Sequence, residues 1–147
     1  PRPAIVVKEL ARVLKPGGIL AFSTWPKELF MGKFFSIIES FSLPLPPEVA
    51  SPVLWGDMAV IEDRLKDHFD QIEFGRDTMF APTMSPAHML KLFEKNAGPL
   101  ANLVKALADD PTKLNNLRNA VLELIENSFS ANFLRQDFLM TRCVKKT

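Results

Sequence analysis

One cysteine, two histidines and a near-perfect balance of charge, 18 Lys plus Arg against 17 Asp plus Glu in 147 residues, remove several classes of function at once. Cys143 cannot form an internal disulfide and reads as a small buried hydrophobe in a strand, as expected of a chain from a reducing, cytoplasmic compartment. A net charge of +1, with the basic residues scattered, provides no field to gather nucleic acid, so no nucleic-acid partner is expected. The apolar runs fall far short of the roughly 20 residues a membrane span requires, and the N-terminus has no signal-peptide pattern. The expected protein is soluble, with no membrane partner. His68 and His88 lie far apart without a second ligand at helical spacing, so no metal site is expected. There is no G-x-S-x-G and no His partner for the cysteine, so no catalytic nucleophile is named. Internal repeats and low-complexity tracts are also missing. The chain opens on Pro1 and enters a helix almost at once, as a fragment or processed piece would.

What is present centres on Glu9 to Trp25, E-L-A-R-V-L-K-P-G-G-I-L-A-F-S-T-W. Pro3 suits a first helical turn, and Ile5, Val6, Leu10, Val13 and Leu14 recur as one apolar stripe. Pro16 stops the helix, and Gly17 with Gly18 turn the chain. Ile19 to Phe22 then read as a strand covered on both faces, as in a mostly parallel sheet. In an open α/β sheet, ligands sit outside the carboxyl ends of the strands, which is where Ser23, Thr24 and Trp25 fall.

Beyond Pro26, Leu29 to Phe41 spell a short, very apolar helix, and Leu43 to Pro52 is too proline-rich for helix or central strand. Asp57 is an N-cap for a helix running to about Phe69, and Gln71 to Ala81 reads as a strand that loses register near Gly75. Ser85 caps a helix stopped by Asn96 to Pro99; Leu100 to Leu107 add a turn or two. Asp110 and Pro111 open a long helix with Leu114, Leu117, Val121, Leu124 and Ile125 on one stripe. Phe133 to Lys145 form a last strand.

Few residues here carry chemistry by type and spacing alone. Gly17 and Gly18 precede a strand, whereas a phosphate-cradling loop follows one, so they are read as a turn. His68 reads as a solvated partner of a helix end, and His88, in a first turn, as either solvated or facing a pocket. The aromatics Phe30, Phe34, Phe35, Phe41 and Trp55 suit an apolar substrate wall or plain core. The carboxylates sit among Lys and Arg on exposed faces and are read as solvated.

The segment Glu9 to Trp25 resembles the part of class I S-adenosylmethionine-dependent methyltransferases in which a helix ending R-V-L-K-P-G-G feeds the fifth strand of the sheet. Trp55, Gly56 and Asp57 opening the next helix, the strand near Gln71 to Ala81, Ser85 with Pro86, Gly98 with Pro99 and the basic final strand extend the likeness over nearly the whole chain. It is similar to the C-terminal half of the small-molecule methyltransferases of ubiquinone and menaquinone biosynthesis. The family's A-G-F before the sixth strand is replaced by His68, Phe69 and Asp70.

The resemblance implies an α/β fold: the last three strands of a Rossmann-like methyltransferase sheet, the final strand antiparallel between the other two, with an inserted helical cap. It implies one domain over 1–147, with cap-like insertions at 26–56 and 82–131. The family's donor-binding residues all lie upstream of this segment, so S-adenosylmethionine would be the cofactor of an intact parent, with no cofactor-binding or catalytic residue assigned here. Ser23, Thr24, Trp25, Phe34, Trp55 and His88 would line the pocket of a small-molecule methyl acceptor. The alternative is a non-catalytic binding or dimerisation module, a homodimer or a partner chain covering the exposed sheet edge.

Overall fold

In the computed structural model, which describes residues 2–44, 46 and 49–147, the first helix and strand follow from the Pro-Gly-Gly stop. Helix α1 spans Pro3–Val13 and strand β1 spans Ile19–Thr24. Between them Gly17 takes φ +74°, a left-handed conformation cheap only for glycine, and its N–H donates to the Lys145 carbonyl. Lys145 in turn donates from Nζ to the Leu14 carbonyl at 2.7 Å, a cation at the carboxyl end of α1.

Helix α2 (Phe30–Phe41) follows, then a single 3-10 turn (Pro52–Gly56) and α3 (Met58–Leu65). Strand β2 (Phe69–Pro82) leads to helices α4 (Pro86–Asn96), α5 (Gly98–Ala106) and α6 (Pro111–Glu126). A two-residue strand β3 (Phe129–Ser130) then turns through Ala131 and Asn132, both at positive φ, into β4 (Phe133–Lys145). The sheet order is β1-β4-β2, with β3 paired to β4. Strands β1 and β4 are antiparallel, with Leu20 opposite Cys143, Phe22 opposite Thr141 and Thr24 opposite Leu139.

The chain divides into two compact units: Pro1–Lys27, Leu45–Asp77 and Asp137–Thr147 form the first, and Glu28–Pro44 with Thr78–Gln136 the second. Residues 49–56, expected within a cap, group with the first unit, and the expected insertion 82–131 lies in the second.

In the first unit Val7 and Ala11 of α1, with Ile61 and Leu65 of α3, bury Leu20, Phe69, Leu139 and Cys143. Burial raises the Cys143 thiol pKa, as suits the inert core residue expected. Two expectations change here. The buried stripe of α1 runs through Val7 and Ala11, while Ile5, Val6 and Val13 are exposed, because the helix is apolar on two sides and the sheet takes one. Strand β1 is covered on one face only: Leu20 is buried, but Ile19, Ala21 and Ser23 face out, joined on β4 by Met140. An all-apolar run does not reveal which face lacks a helix.

Helix α3 also ends four residues earlier than its periodicity suggests, at Leu65, and Phe69 opens β2 as a core residue. Its start is as expected, since the Asp57 carboxylate accepts from the N–H groups of Ala59 (2.9 Å) and Val60 (3.2 Å). Asp57→Ala should cost about 1 kcal/mol of stability, read as a lower midpoint in urea with an unchanged slope. Of the proline-rich segment, residues 45, 47 and 48 lie outside the described residues.

In the second unit α2, α4, α5 and α6 pack around Phe34, Ile38, Met89, Leu100, Leu117, Val121 and Ile125. Leu117, Val121 and Ile125 are the inner part of the stripe expected of α6. Asp110 caps it by accepting from Lys113 N–H, and Ser85 caps α4 by accepting from His88 N–H. Gly98 and Pro99, expected as a stop, instead begin α5, where proline's missing N–H is no loss.

Candidate functional site

The carboxyl end of β1 gathers four of the six residues singled out in the sequence. Ser23 is exposed; Thr24 alternates inward, and its hydroxyl is buried without a partner. Trp25 stands edge-on to Phe138, ring centroids 6.3 Å apart. Trp55 stands edge-on to Phe22 at 5.9 Å and carries the Arg64 guanidinium over its ring at 4.6 Å. The turn that carries Trp55 passes directly against the chain after β1: a Cβ on Gly56 would fall 2.2 Å from the Trp25 carbonyl oxygen. Only glycine allows that approach, so the two tryptophans, thirty positions apart, flank one backbone crossing.

The polar chemistry around this crossing is unfilled. Among the described residues the buried side-chain polar atoms without a partner are Thr24 Oγ1, Thr141 Oγ1 and Arg64 Nη1, all in the first unit. Thr141 lies opposite Phe22 and diagonal to Thr24 on the same face. Burial pushes the Arg64 pKa down, and no carboxylate offsets it. No sequence pattern marks Thr141 or Arg64, since a threonine in a strand and an arginine in a last helical turn are ordinary. Thr141 is fully buried. Thr141→Val, which replaces an unpartnered hydroxyl by a methyl of the same shape, should raise stability by about 1 kcal/mol in thermal or urea unfolding.

The other two singled-out residues are in the second unit. Phe34 is 1% exposed and packs on Phe35 and Phe93 within the core of the second unit. His88 Nδ1 lies 2.9 Å from the buried Thr83 hydroxyl, and the Met84 N–H approaches the same nitrogen at 3.5 Å. Thr83 itself is held by its N–H to the Asn132 carbonyl.

The second unit also holds a groove of about 400 Å³ that sequence reading missed. Helix α2 supplies Phe30, Lys33 and Ile37; α6 supplies Ala120, Glu123 and Leu124, with Asn127 and Ser128 just beyond. A matching pair of i, i+3/i+4 positions on two helices is visible in the sequence, but which helices pack together is not. Among the described residues no group of His, Cys, Asp and Glu stands where it could hold a metal ion, and no helix is long and apolar enough to cross a membrane.

No protein-family model matches the chain. It is 26% identical over 141 residues to an uncharacterized protein of Mycobacterium tuberculosis and to one of Mycobacterium bovis, which covers 95% of this chain and 52% of each relative. A second uncharacterized protein of Mycobacterium tuberculosis is 22% identical over 139 residues, covering 94% of this chain and 51% of the relative. The chain thus spans about half the length of the curated relatives it matches.

Proposed function

We propose that this chain is the acceptor-side half of an S-adenosylmethionine-dependent methyltransferase acting on a small molecule, with the donor held by sequence outside these residues. The observation that carries the reading is the sheet order. A helix followed by Pro-Gly-Gly feeds β1, and β4, separated from β2 by three helices and the short β3, lies antiparallel beside β1 and between it and β2. That is the arrangement implied by the resemblance of Glu9 to Trp25, and an accidental likeness would not require it. The relatives' length, about twice this chain, is compatible with a second half. Ser23, Thr24 and Trp25 would line the acceptor side, catalysis would come from holding donor and acceptor in line, and the location would be cytoplasmic.

The glycine pair before β1 would not serve as a donor loop. The paired glycines have their N–H groups committed, Gly17 to the Lys145 carbonyl and Gly18 to the Lys15 carbonyl, so they close a turn and cradle nothing. Calorimetric titration of S-adenosylmethionine should therefore give heat with the chain extended to the length of its relatives and none with residues 1–147. Tight binding by the shorter chain would defeat the proposal.

A second reading, a binding or dimerisation module, is favoured by one specific observation. Strand β1 ends the sheet order, and the face it shares with β4 exposes Ile19 (55%) and Met140 (39%). Unpaired edge and apolar face together invite another strand. Light scattering distinguishes the cases: a monomer at micromolar concentration would remove this second reading.

A further inference from the structure

The groove between α2 and α6 lies wholly in the second unit and stands apart from the methyl-transfer reading. Its volume of about 400 Å³ falls in the range of small-molecule sites, roughly 300–1,000 Å³. Phe30, Ile37 and Leu124 are the larger apolar side chains of its lining, and Phe30 packs against Phe93 with ring centroids 6.2 Å apart. Helix α2 contributes Lys33 to the lining and α6 contributes Glu123, with Asn127 following α6.

The charges are the informative part. Elsewhere Arg12 pairs with Glu9 on an exposed face, and Arg118 with a part-buried Glu94. Among the described residues, neither the Lys33 ammonium nor the Glu123 carboxylate has a hydrogen-bond or ion-pair partner, although both line one groove. They are not paired with each other, although both line the same groove. A simple carboxylic acid would answer Lys33 and leave Glu123 facing its apolar body; an amine would do the reverse. A molecule with both charges answers both.

We propose that this groove binds a small zwitterion with an apolar body, of the size class of an aromatic amino acid. Its carboxylate meets Lys33, its ammonium meets Glu123, and its body lies on Phe30, Ile37 and Leu124. The Asn127 amide can donate to one end or accept from the other.

L-Phenylalanine is the probe, with N-acetyl-L-phenylalanine and L-phenylalanine amide as versions lacking one charge each. Titrated at millimolar concentrations against the nitrogen-15-labelled chain without methyl donor, phenylalanine should shift the amides of α2 and α6. Each derivative should bind about threefold more weakly, the scale of one exposed ion pair. Lys33→Met should erase the preference for phenylalanine over its amide, and Glu123→Gln the preference over the acetylated form. Equal binding of all three probes, shifts confined to other elements, or no shift would overturn the proposal. None of these outcomes bears on S-adenosylmethionine binding, so the two readings fail separately.

Discussion

Gly56→Ala should lower the stability of the first unit by about 3 kcal/mol or more, an effect at the top of the overpacking range. The added Cβ would lie 2.2 Å from the Trp25 carbonyl oxygen, 2.5 Å from its carbonyl carbon and 2.6 Å from Pro26 Cα. All three are backbone atoms, so no rotamer change relieves the clash. Pro26 is fully buried, so the segment has little room to retreat. The change also sits where its effect is easily seen: Trp25 and Trp55 are the chain's two tryptophans, and Gly56 lies between their segments. Loss of the crossing should red-shift the tryptophan emission and lower the urea midpoint. Gly75→Ala is the control, since its Cβ would meet nothing within 4 Å, and its stability should change by no more than about 0.5 kcal/mol. Matching midpoints for the two variants would show that the backbone crossing at Gly56 is looser than its geometry says.

That crossing also shows how far sequence reasoning reaches. Trp25 and the Trp55-Gly56-Asp57 triplet are conspicuous residues in a chain with few landmarks, and their chemistry can be argued separately. Asp57 as an N-cap is legible because the cap is local: a carboxylate two and three residues before the amides it accepts from. Strand β4 is legible over its full length, Phe133–Lys145, because apolar alternation is a property of the strand itself. That Gly56 must be glycine because Trp25 lies against it is a long-range fact, and no local pattern records it.

The same boundary between local and long-range facts runs through β1. Its existence follows from the run Ile19 to Phe22 after a Pro-Gly-Gly stop. Its exposure depends on which helices arrive from elsewhere in the chain, and α1 with α3 cover one face. The groove residues Lys33, Glu123 and Asn127 carry no sequence signal for a related reason. Each looks like one more solvated polar side chain until α2 and α6 are known to pack together.

Phe34→Ala should be the most damaging truncation in the second unit, costing about 4 kcal/mol and roughly ten degrees in midpoint. The sequence leaves Phe34 as either substrate wall or core, and the two roles predict different data. A wall residue is partly exposed when no ligand is bound, and its truncation lowers affinity with little effect on folding. Phe34 is 1% exposed, with the Phe93 ring centroid at 5.1 Å and that of Phe35 at 5.8 Å. Removing it opens a void among α2, α4 and their neighbours that a helical core cannot fully collapse. Both tryptophans belong to the first unit, so far-UV circular dichroism, dominated by α2, α4, α5 and α6, is the readout for the second. Phe34→Leu, which retains most of the apolar volume, should recover more than half of the loss. An alanine variant that melts with the parent would return Phe34 to the candidate wall and shift the core's centre to Leu117, Val121 and Ile125.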